Sequence, residues 1–179
     1  MNVPQIAGHF FNPFTMASSL KSLSDPGKKT VPSAKGMRFA LIVSEWNAEI
    51  CQALEKAAHV SLLKYGAKPK NILVKYVPGS FELPLAAQLA AQVHEIDAVI
   101  CLGCIIRGET SHFDFIGDAV STGIMNVGLM YNKPVVFGVL TTENLKQAKE
   151  RSGGKHGNKG DEAALTAIRM VSLKKSVSK

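Results

Sequence analysis

The sequence has few cysteines, a single tryptophan and no long apolar run, and these shortages exclude whole classes of protein. Three cysteines among 179 residues are an odd number without the spacing of a small disulfide-bonded domain, so we expect a reducing compartment, the cytoplasm. No apolar run reaches the ~18 residues that a membrane span needs. The first residues also lack the basic stretch and long apolar segment of a secretory signal. We therefore expect no membrane partner.

The net charge of +7 is not concentrated on the part of the chain that is predicted to fold. Residues 1–36 carry four lysines against one aspartate, and residues 174–179 carry three lysines. The remaining stretch, 37–173, holds 14 basic and 13 acidic side chains. A protein that binds nucleic acid needs a concentrated basic face on its folded domain. The charge distribution therefore argues against a nucleic-acid partner.

Composition divides the chain into three segments. Residues 1–36 are rich in Pro, Ser, Gly and Lys with little periodicity, which predicts a flexible N-terminal arm. They are poor in acidic residues, as organelle transit peptides are, but contain no arginine. Residues 37–173 have regular hydrophobic patterns and predict one domain. Residues 174–179 form a basic C-terminal tail.

Within the domain, short apolar runs alternate with segments of helical periodicity. The runs predict strands at 38–43, 71–77, 97–103 and 133–140. The periodic segments predict helices at 48–66, 79–93, 112–132, 142–153 and 161–173. Strands that are apolar throughout and alternate with helices favour an α/β fold with a parallel sheet covered on both faces. Ligands bind such sheets beyond the carboxyl ends of the strands.

The segment after the third predicted strand, "CIIRGETSH" (104–112), is the strongest candidate for a site. Gly108 permits unusual backbone angles, and Glu109, Thr110 and Ser111 lead into a helix that starts at His112. Free N–H groups at a helix start, with hydroxyls beside them, can bind an anion, and His112 could move protons there near neutral pH. A Ser/Thr helix cap with an incidental histidine is an equally good interpretation.

Three other segments offer weaker signals, each with a structural alternative. Glu82 at a helix start can bind sugar hydroxyls or complement the helix dipole. Trp46 can stack on a flat heterocycle or serve in packing. The glycine-rich stretch 151–160 carries Arg151, Lys155 and Lys159, which suit a phosphate, or is a solvated turn. The pair Cys101 and Cys104 has no second pair to complete a zinc site, and we expect no metal.

Four segments in this order resemble the lumazine synthase family over about residues 37–171. They are "PGSFELP" (78–84), "GCIIRGETSHFDFI" (103–116), "FGVLTTEN" (137–144) and "ERSGGKHGNKGDEAA" (150–164). The resemblance implies a flavodoxin-like, three-layer α/β/α fold with a four-stranded parallel sheet, which the N-terminal arm of a neighbouring chain can extend. It also implies condensation of 5-amino-6-(D-ribitylamino)uracil with 3,4-dihydroxy-2-butanone 4-phosphate. The products would be 6,7-dimethyl-8-ribityllumazine, phosphate and water, in the penultimate step of riboflavin biosynthesis, with no cofactor.

The resemblance also implies a role for each matching residue. His112 would be the proton donor. The ribityl-uracil would be bound by Trp46, Ser80, Phe81, Glu82, Cys104, Ile105, Ile106 and Phe137. The phosphate would be bound by Glu109, Thr110, Arg151 and Lys159.

The family's assembly adds expectations about partners. The resemblance implies a homopentamer, or an icosahedral 60-mer of such pentamers, with each active site shared between two chains. Trp46, Glu82 and His112 would come from one chain, and Phe137, Arg151 and Lys159 from its neighbour. The short loop 152–158 favours the 60-subunit form, and riboflavin synthase is a further expected partner. The alternatives are an FMN electron carrier, a shell protein without catalysis, and a lumazine binder similar to riboflavin synthase.

Overall fold

The structure, a computed structural model, describes residues 31–178. The predicted arm lies outside the described residues as far as residue 30, as does Lys179 of the predicted tail. Residues 31–37 lie against the end of the first helix, where Ala34 is buried and its N–H donates to the Tyr65 carbonyl at 2.8 Å. No helix among residues 31–178 is long and apolar enough to cross a membrane.

Four parallel strands form the central sheet, as predicted. They are β1 (Phe39–Ser44), β2 (Ile72–Val77), β3 (Ala98–Ile106) and β4 (Val135–Thr142). Their order across the sheet is β2-β1-β3-β4, so β1 and β3 are the inner strands. All six residues of β1 are buried. A strand covered on both faces favours apolar residues throughout, which explains the unbroken run FALIV in β1. The last residue of β1, Ser44, is also buried.

Helices cover both faces of this sheet and complete the three layers. They are α1 (Ala48–Lys64), α2 (Leu83–Gln92), α3 (His112–Met130), α4 (Leu145–Arg151) and α5 (Lys159–Val177). Successive side chains of β1 point to opposite faces. Phe39 and Leu41 pack in the core shared with α1 and α5, while Ala40 and Ile42 pack in the core shared with α2 and α3. The predicted α/β fold is confirmed.

The start of α5 approaches α1 more closely than a side chain would allow. A Cβ atom on Gly160 would lie 1.9 Å from the carbonyl oxygen of Leu54. The Asn158 side chain accepts a hydrogen bond from the Gly160 N–H at 2.8 Å and donates one to the Ala53 carbonyl at 3.1 Å. Glycine at position 160 therefore fixes where α5 begins, and with it the position of Lys159.

The structure differs from the predicted element boundaries in ways that matter for the site. β3 continues to Ile106 because its last residues pair with β4, Cys104 with Leu140 and Ile106 with Thr142. Cys104–Ile106 are therefore strand residues, not the loop residues that we predicted. The helix predicted from residue 79 begins at Leu83, with Pro84 in its first turn and a 3-10 turn before it.

Two further segments extend or replace the predicted elements near the end of the chain. The predicted turn between the last two helices contains a small antiparallel pair, β5 (Ser152–Gly154) and β6 (Gly157–Asn158). The last helix runs past residue 173 to Val177. Lys174 lies in its final turns and donates to the Asn132 carbonyl at 2.6 Å.

Candidate active site

A cavity of about 450 Å³ opens at the carboxyl ends of β1, β2 and β3. Parallel sheets bind ligands at this edge because the segments that leave the strands converge there. Eight residues that the sequence predicted for a site line the cavity, namely Trp46, Ser80, Phe81, Cys104, Ile105, Ile106, Thr110 and His112. It is also lined by Gly108, which the sequence placed in the candidate segment, and by Asn47, Gly79, Phe113 and Ile116, to which the prediction gave no role.

Trp46 stands at the mouth of this cavity on a firmly held backbone. Its side chain is 69% exposed, which does not fit the packing role that we left open. The Trp46 N–H donates to the Pro78 carbonyl at 3.2 Å, and the Cys51 thiol donates to the Trp46 carbonyl at 3.2 Å. An exposed indole on a fixed backbone offers a flat surface on which a planar heterocycle can stack.

Asn47 follows Trp46 in a left-handed conformation, with φ 58° and ψ 48°. Asparagine adopts this conformation more readily than most residues. Its carbonyl accepts the first hydrogen bonds of α1, from Ile50 at 2.9 Å and Cys51 at 3.1 Å. The only sequence signal was an asparagine directly before a helix, and nothing in the sequence indicated what its side chain would contact.

Ser80 supplies a polar atom without a protein partner. Its hydroxyl is buried and makes no hydrogen bond within residues 31–178. A Cβ atom on Gly103 would lie 2.7 Å from this oxygen, so the glycine leaves room for it. Because buried polar groups are nearly always hydrogen-bonded, an unpaired hydroxyl beside a cavity suits a polar ligand.

Glu82 and Glu109 do not line the cavity in this single chain. The carboxylate of Glu82 turns back towards Gly79, which does line it, and a Cβ atom on Gly79 would lie 3.1 Å from Oε2. Glu82 is thus next to the cavity and half-buried, whereas Glu109 is exposed. If Glu109 contributes to an anion site, its backbone N–H is the suitable group, because a carboxylate repels a phosphate.

His112 is the first residue of α3, as predicted, and its side chain is exposed to the cavity. Ser111 occupies the position before the helix, but its hydroxyl makes no capping hydrogen bond. The Thr110 hydroxyl accepts only a long bond of 3.4 Å from the His112 N–H. The alternative of a Ser/Thr cap is therefore weak, and the first turn of this 19-residue helix leaves donors for an anion.

Phe137, Arg151 and Lys159 lie elsewhere in the single chain. Phe137 and Lys159 line a second cavity of about 710 Å³ between α3, β4 and α5. The Arg151 guanidinium donates to the His156 carbonyl at 2.9 Å and lies 3.4 Å from Glu162, whose carboxylate also contacts the Lys159 ammonium at 3.3 Å. Glu162 is 5% exposed. Sequence reasoning missed Glu162, although its position three residues after Lys159 at the start of a helix was a signal.

The cysteines are unsuited to redox chemistry. Burial raises the pKa of Cys101 to about 12 and the pKa of Cys104 to about 11, so both thiols stay protonated near neutral pH. The reactive form of cysteine is the thiolate. Within residues 31–178 no three His, Cys, Asp or Glu side chains are grouped as metal ligands.

Comparison with known proteins identifies the family to which the chain belongs. The family model for 6,7-dimethyl-8-ribityllumazine synthase matches residues 36–175. The chain is 54% identical to the enzyme of that name from Cytophaga hutchinsonii over 156 residues, which is 87% of this chain and 98% of the relative.

Two further relatives bear the same name. The protein from Parabacteroides distasonis is 48% identical over 158 residues, 88% of this chain and 99% of the relative. The protein from Thermus thermophilus is 46% identical over 147 residues, 82% of this chain and 94% of the relative. The matched residues begin before β1 and end within the last turn of α5. The chain therefore belongs to the 6,7-dimethyl-8-ribityllumazine synthase family.

Proposed function

We propose that the chain is a transferase that condenses 5-amino-6-(D-ribitylamino)uracil with 3,4-dihydroxy-2-butanone 4-phosphate. The products are 6,7-dimethyl-8-ribityllumazine, phosphate and water, in the penultimate step of riboflavin biosynthesis, and no cofactor is required. The supporting observation is the cavity at the sheet edge, where an exposed indole, an unpaired hydroxyl and a histidine at a helix start are brought together.

The ribityl-uracil occupies the part of the cavity between Trp46 and the end of β3. The pyrimidine stacks on the Trp46 indole, with Phe81 beside it, since both rings are exposed at the cavity mouth. The backbone of Cys104, Ile105 and Ile106 hydrogen-bonds the ring edge. The Ser80 hydroxyl and the Glu82 carboxylate bind the hydroxyls of the ribityl chain.

The butanone phosphate occupies the part nearest the start of α3. Its phosphate is held by backbone N–H groups at Glu109 and Thr110 and by the Thr110 hydroxyl, where the helix dipole favours an anion. The uracil's amine attacks the ketone carbonyl, and loss of water from the adduct gives an imine. The carbon next to the imine then loses a proton as the C–O bond to phosphate breaks, and the resulting enol tautomerises to a ketone. The second nitrogen attacks this ketone and closes the ring with loss of water. His112 donates protons to the departing oxygens.

The cations for the phosphate come from a neighbouring chain. Within one chain, Phe137, Arg151 and Lys159 do not line the cavity that contains His112. Glu162 keeps Arg151 and Lys159 together, so they form one preassembled cationic unit. A neighbour that brings this unit to the cavity, with Phe137 closing it over the pyrimidine, completes the site.

Exposed apolar side chains support an assembly of several chains. On α2, Leu85 and Leu89 are 64% and 58% exposed, and on α3 Phe115 and Leu129 are each 73% exposed. Apolar patches of this kind mark interfaces, and identical head-to-tail contacts that close give a ring. We propose a homopentamer, and a 60-subunit shell of pentamers, in the cytoplasm.

In the proposed assembly, the edge strand β2 pairs with the N-terminal arm of a neighbouring chain. Within the described residues β2 pairs only with β1, so its outer edge is open for the N-terminal arm of a neighbour. We propose a division into an arm (1–36), a domain (37–173) and a tail (174–179), in which residues 31–36 of the arm lie against α1 and the tail begins inside α5. Riboflavin synthase, which would consume the product, is the proposed protein partner.

The direct test is to incubate the purified full chain with both substrates and follow lumazine fluorescence, with mass spectrometry to identify the product. The proposal requires product to form faster than in the protein-free mixture. Binding of lumazine without formation would indicate a lumazine binder, a flavin retained through purification would indicate an electron carrier, and a shell without product would indicate a structural role. The first and third outcomes contradict the proposed reaction, and a retained flavin contradicts it when no product forms.

A further inference from the structure

The proposed function gives no role to Arg107, the arginine of the segment 103–112, although its side chain contacts two carboxylates and an aromatic ring next to the cavity. The Arg107 guanidinium donates two hydrogen bonds to the Asp114 carboxylate, at 2.9 and 3.1 Å. Its Nε lies 2.8 Å from a carboxylate oxygen of Glu143. The guanidinium also stacks on the Phe113 ring, 4.1 Å from the ring centroid.

These contacts join three separate parts of the chain. Arg107 directly follows β3, and its backbone N–H donates to the Thr142 carbonyl at the end of β4 at 2.9 Å. Asp114 and Phe113 lie in the first turn of α3, directly after His112. Glu143 lies between β4 and α4. One side chain therefore ties the start of α3 to the carboxyl ends of two strands.

After Arg107, residues 108–111 make only local hydrogen bonds within the part of the chain that the structure describes. The Thr110 hydroxyl accepts from the His112 N–H at 3.4 Å, and the Ser111 carbonyl accepts from the Asp114 N–H at 3.0 Å. Such contacts shape the loop but do not attach it to the sheet. The contacts of Arg107 provide that attachment.

The charges around Arg107 make it a poor ligand for phosphate. One guanidinium faces two carboxylates, so the group of three carries a net negative charge. Three of its five N–H donors are already used on these carboxylates. The hydrogen bonds to Arg107 also hold the pKa of Asp114 below its ordinary range, so the pair stays ionised near neutral pH. A forked, bidentate contact combined with ring stacking is a geometry that arginine forms and lysine does not.

We infer that Arg107 is a positioning residue that holds Thr110 and His112 in place for the butanone phosphate by anchoring the first turn of α3 to the ends of β3 and β4. This inference rests on the proposed function for the identity of the substrate. It assigns Arg107 no contact with either substrate. Misplacement of reacting groups by as little as 1 Å can reduce a rate strongly, so a loosened anchor has a kinetic consequence.

The test compares Arg107→Gln and Arg107→Lys with Lys175→Gln. Lys175 is a matched control, because it makes an exposed ion pair with Asp97 of 3.6 Å at the opposite end of β3. For Arg107→Gln we expect kcat/KM for the butanone phosphate to fall about tenfold or more, while KM for the ribityl-uracil changes less than about twofold. Arg107→Lys should recover little of this kcat/KM, because lysine restores the charge but not the bidentate hydrogen bonding. The inference would be overturned if Arg107→Lys had the kcat/KM of the parent protein, or if Arg107→Gln lost kcat/KM equally for both substrates.

Hydrogen exchange of the peptide 107–115, measured by mass spectrometry without substrates, provides a second readout. Its amides should exchange faster in Arg107→Gln than in the parent protein and in Lys175→Gln. Unchanged exchange and unchanged kinetics would refute the anchoring role. If Arg107→Gln fails to fold, Asp114→Ala removes the bidentate partner of Arg107 and should give the same substrate-selective loss. Because the exchange experiment needs no lumazine chemistry, failure of the anchor and failure of the proposed reaction can be told apart.

Discussion

The side-chain amide of Asn47 donates a hydrogen bond of 2.9 Å to the carbonyl oxygen of Cys104. These residues are 57 positions apart in the chain. The contact joins the turn that presents Trp46 to the last part of β3, whose backbone we propose to bind the pyrimidine. It therefore sets the spacing between two walls of the cavity.

Replacing Asn47 by glycine and by alanine separates the contribution of this hydrogen bond to stability from the contribution of the left-handed backbone conformation. Asn47→Gly keeps the left-handed conformation and should lower the free energy of unfolding by about 1 kcal/mol, the typical contribution of one hydrogen bond. Asn47→Ala should lower it by about 1 kcal/mol more, because a left-handed conformation strains alanine. Urea unfolding measures both changes. Both variants should raise KM for the ribityl-uracil, and an unchanged KM in Asn47→Gly would show that the contact is not needed for binding.

His112→Ala should reduce turnover by about 10²-fold, the lower end of the range for general acid–base catalysis. The loss should be incomplete, because an amine and a ketone can also condense without a catalyst. Steady-state lumazine formation between pH 6 and 8 measures the effect, and His156→Ala is a control at an exposed histidine outside the cavity. Full activity of His112→Ala across this range would exclude the proton-donating role.

Arg151→Ala should weaken binding of the butanone phosphate far more than binding of the ribityl-uracil. A charge-assisted hydrogen bond contributes about 1.5–3 kcal/mol. Inorganic phosphate, as a competitive inhibitor, should lose affinity in the same variant. Lys155→Ala is the matched control, since it removes an exposed charge from the same glycine-rich segment. Equal weakening of both substrates would mean that Arg151 acts by holding Glu162 in place.

The three cysteines should resist alkylation in the folded protein at pH 8 and react in denaturant. Burial raises the pKa of Cys51 and Cys101 to about 12 and the pKa of Cys104 to about 11. A raised pKa in the folded state gives a contribution to stability that is complete below the pKa of the unfolded thiol. This contribution is lost as the pH rises towards the folded pKa, so stability should fall at strongly alkaline pH. Rapid labelling of native Cys104 at pH 8 would contradict the conclusion that its thiol is buried and has a raised pKa.

The parts of the fold that depend on local pattern could be predicted from the sequence. The unbroken apolar run of β1 requires two covered faces, and Gly66 and Pro84 mark a helix end and a helix start. The extension of β3 to Ile106 could not be predicted, because it depends on pairing with β4. The contact of Asn47 with Cys104 is likewise a tertiary contact that no local pattern encodes.

The candidate site likewise has parts that the sequence could predict and parts that depend on tertiary contacts. The residues that follow the strands, from Trp46 to His112, meet at one sheet edge because parallel strands end together. Arg151 and Lys159 were predicted as cations near glycines, but their attachment to Glu162 depends on how α5 docks against α1 at Gly160. The roles assigned to individual residues stay predictions.

The central claim is that lumazine is formed at a site to which two neighbouring chains contribute. His112→Ala and Arg151→Ala chains, co-refolded in equal amounts, test it by complementation. With random mixing about one interface in four joins an intact His112 to an intact Arg151, because each interface in a closed ring repeats the same pairing. Lumazine formation should therefore rise well above that of either parent, towards about a quarter of the normal rate per site. Parents mixed without refolding should show no gain. If assemblies verified to contain both chains remain as inactive as their parents, the shared site is contradicted.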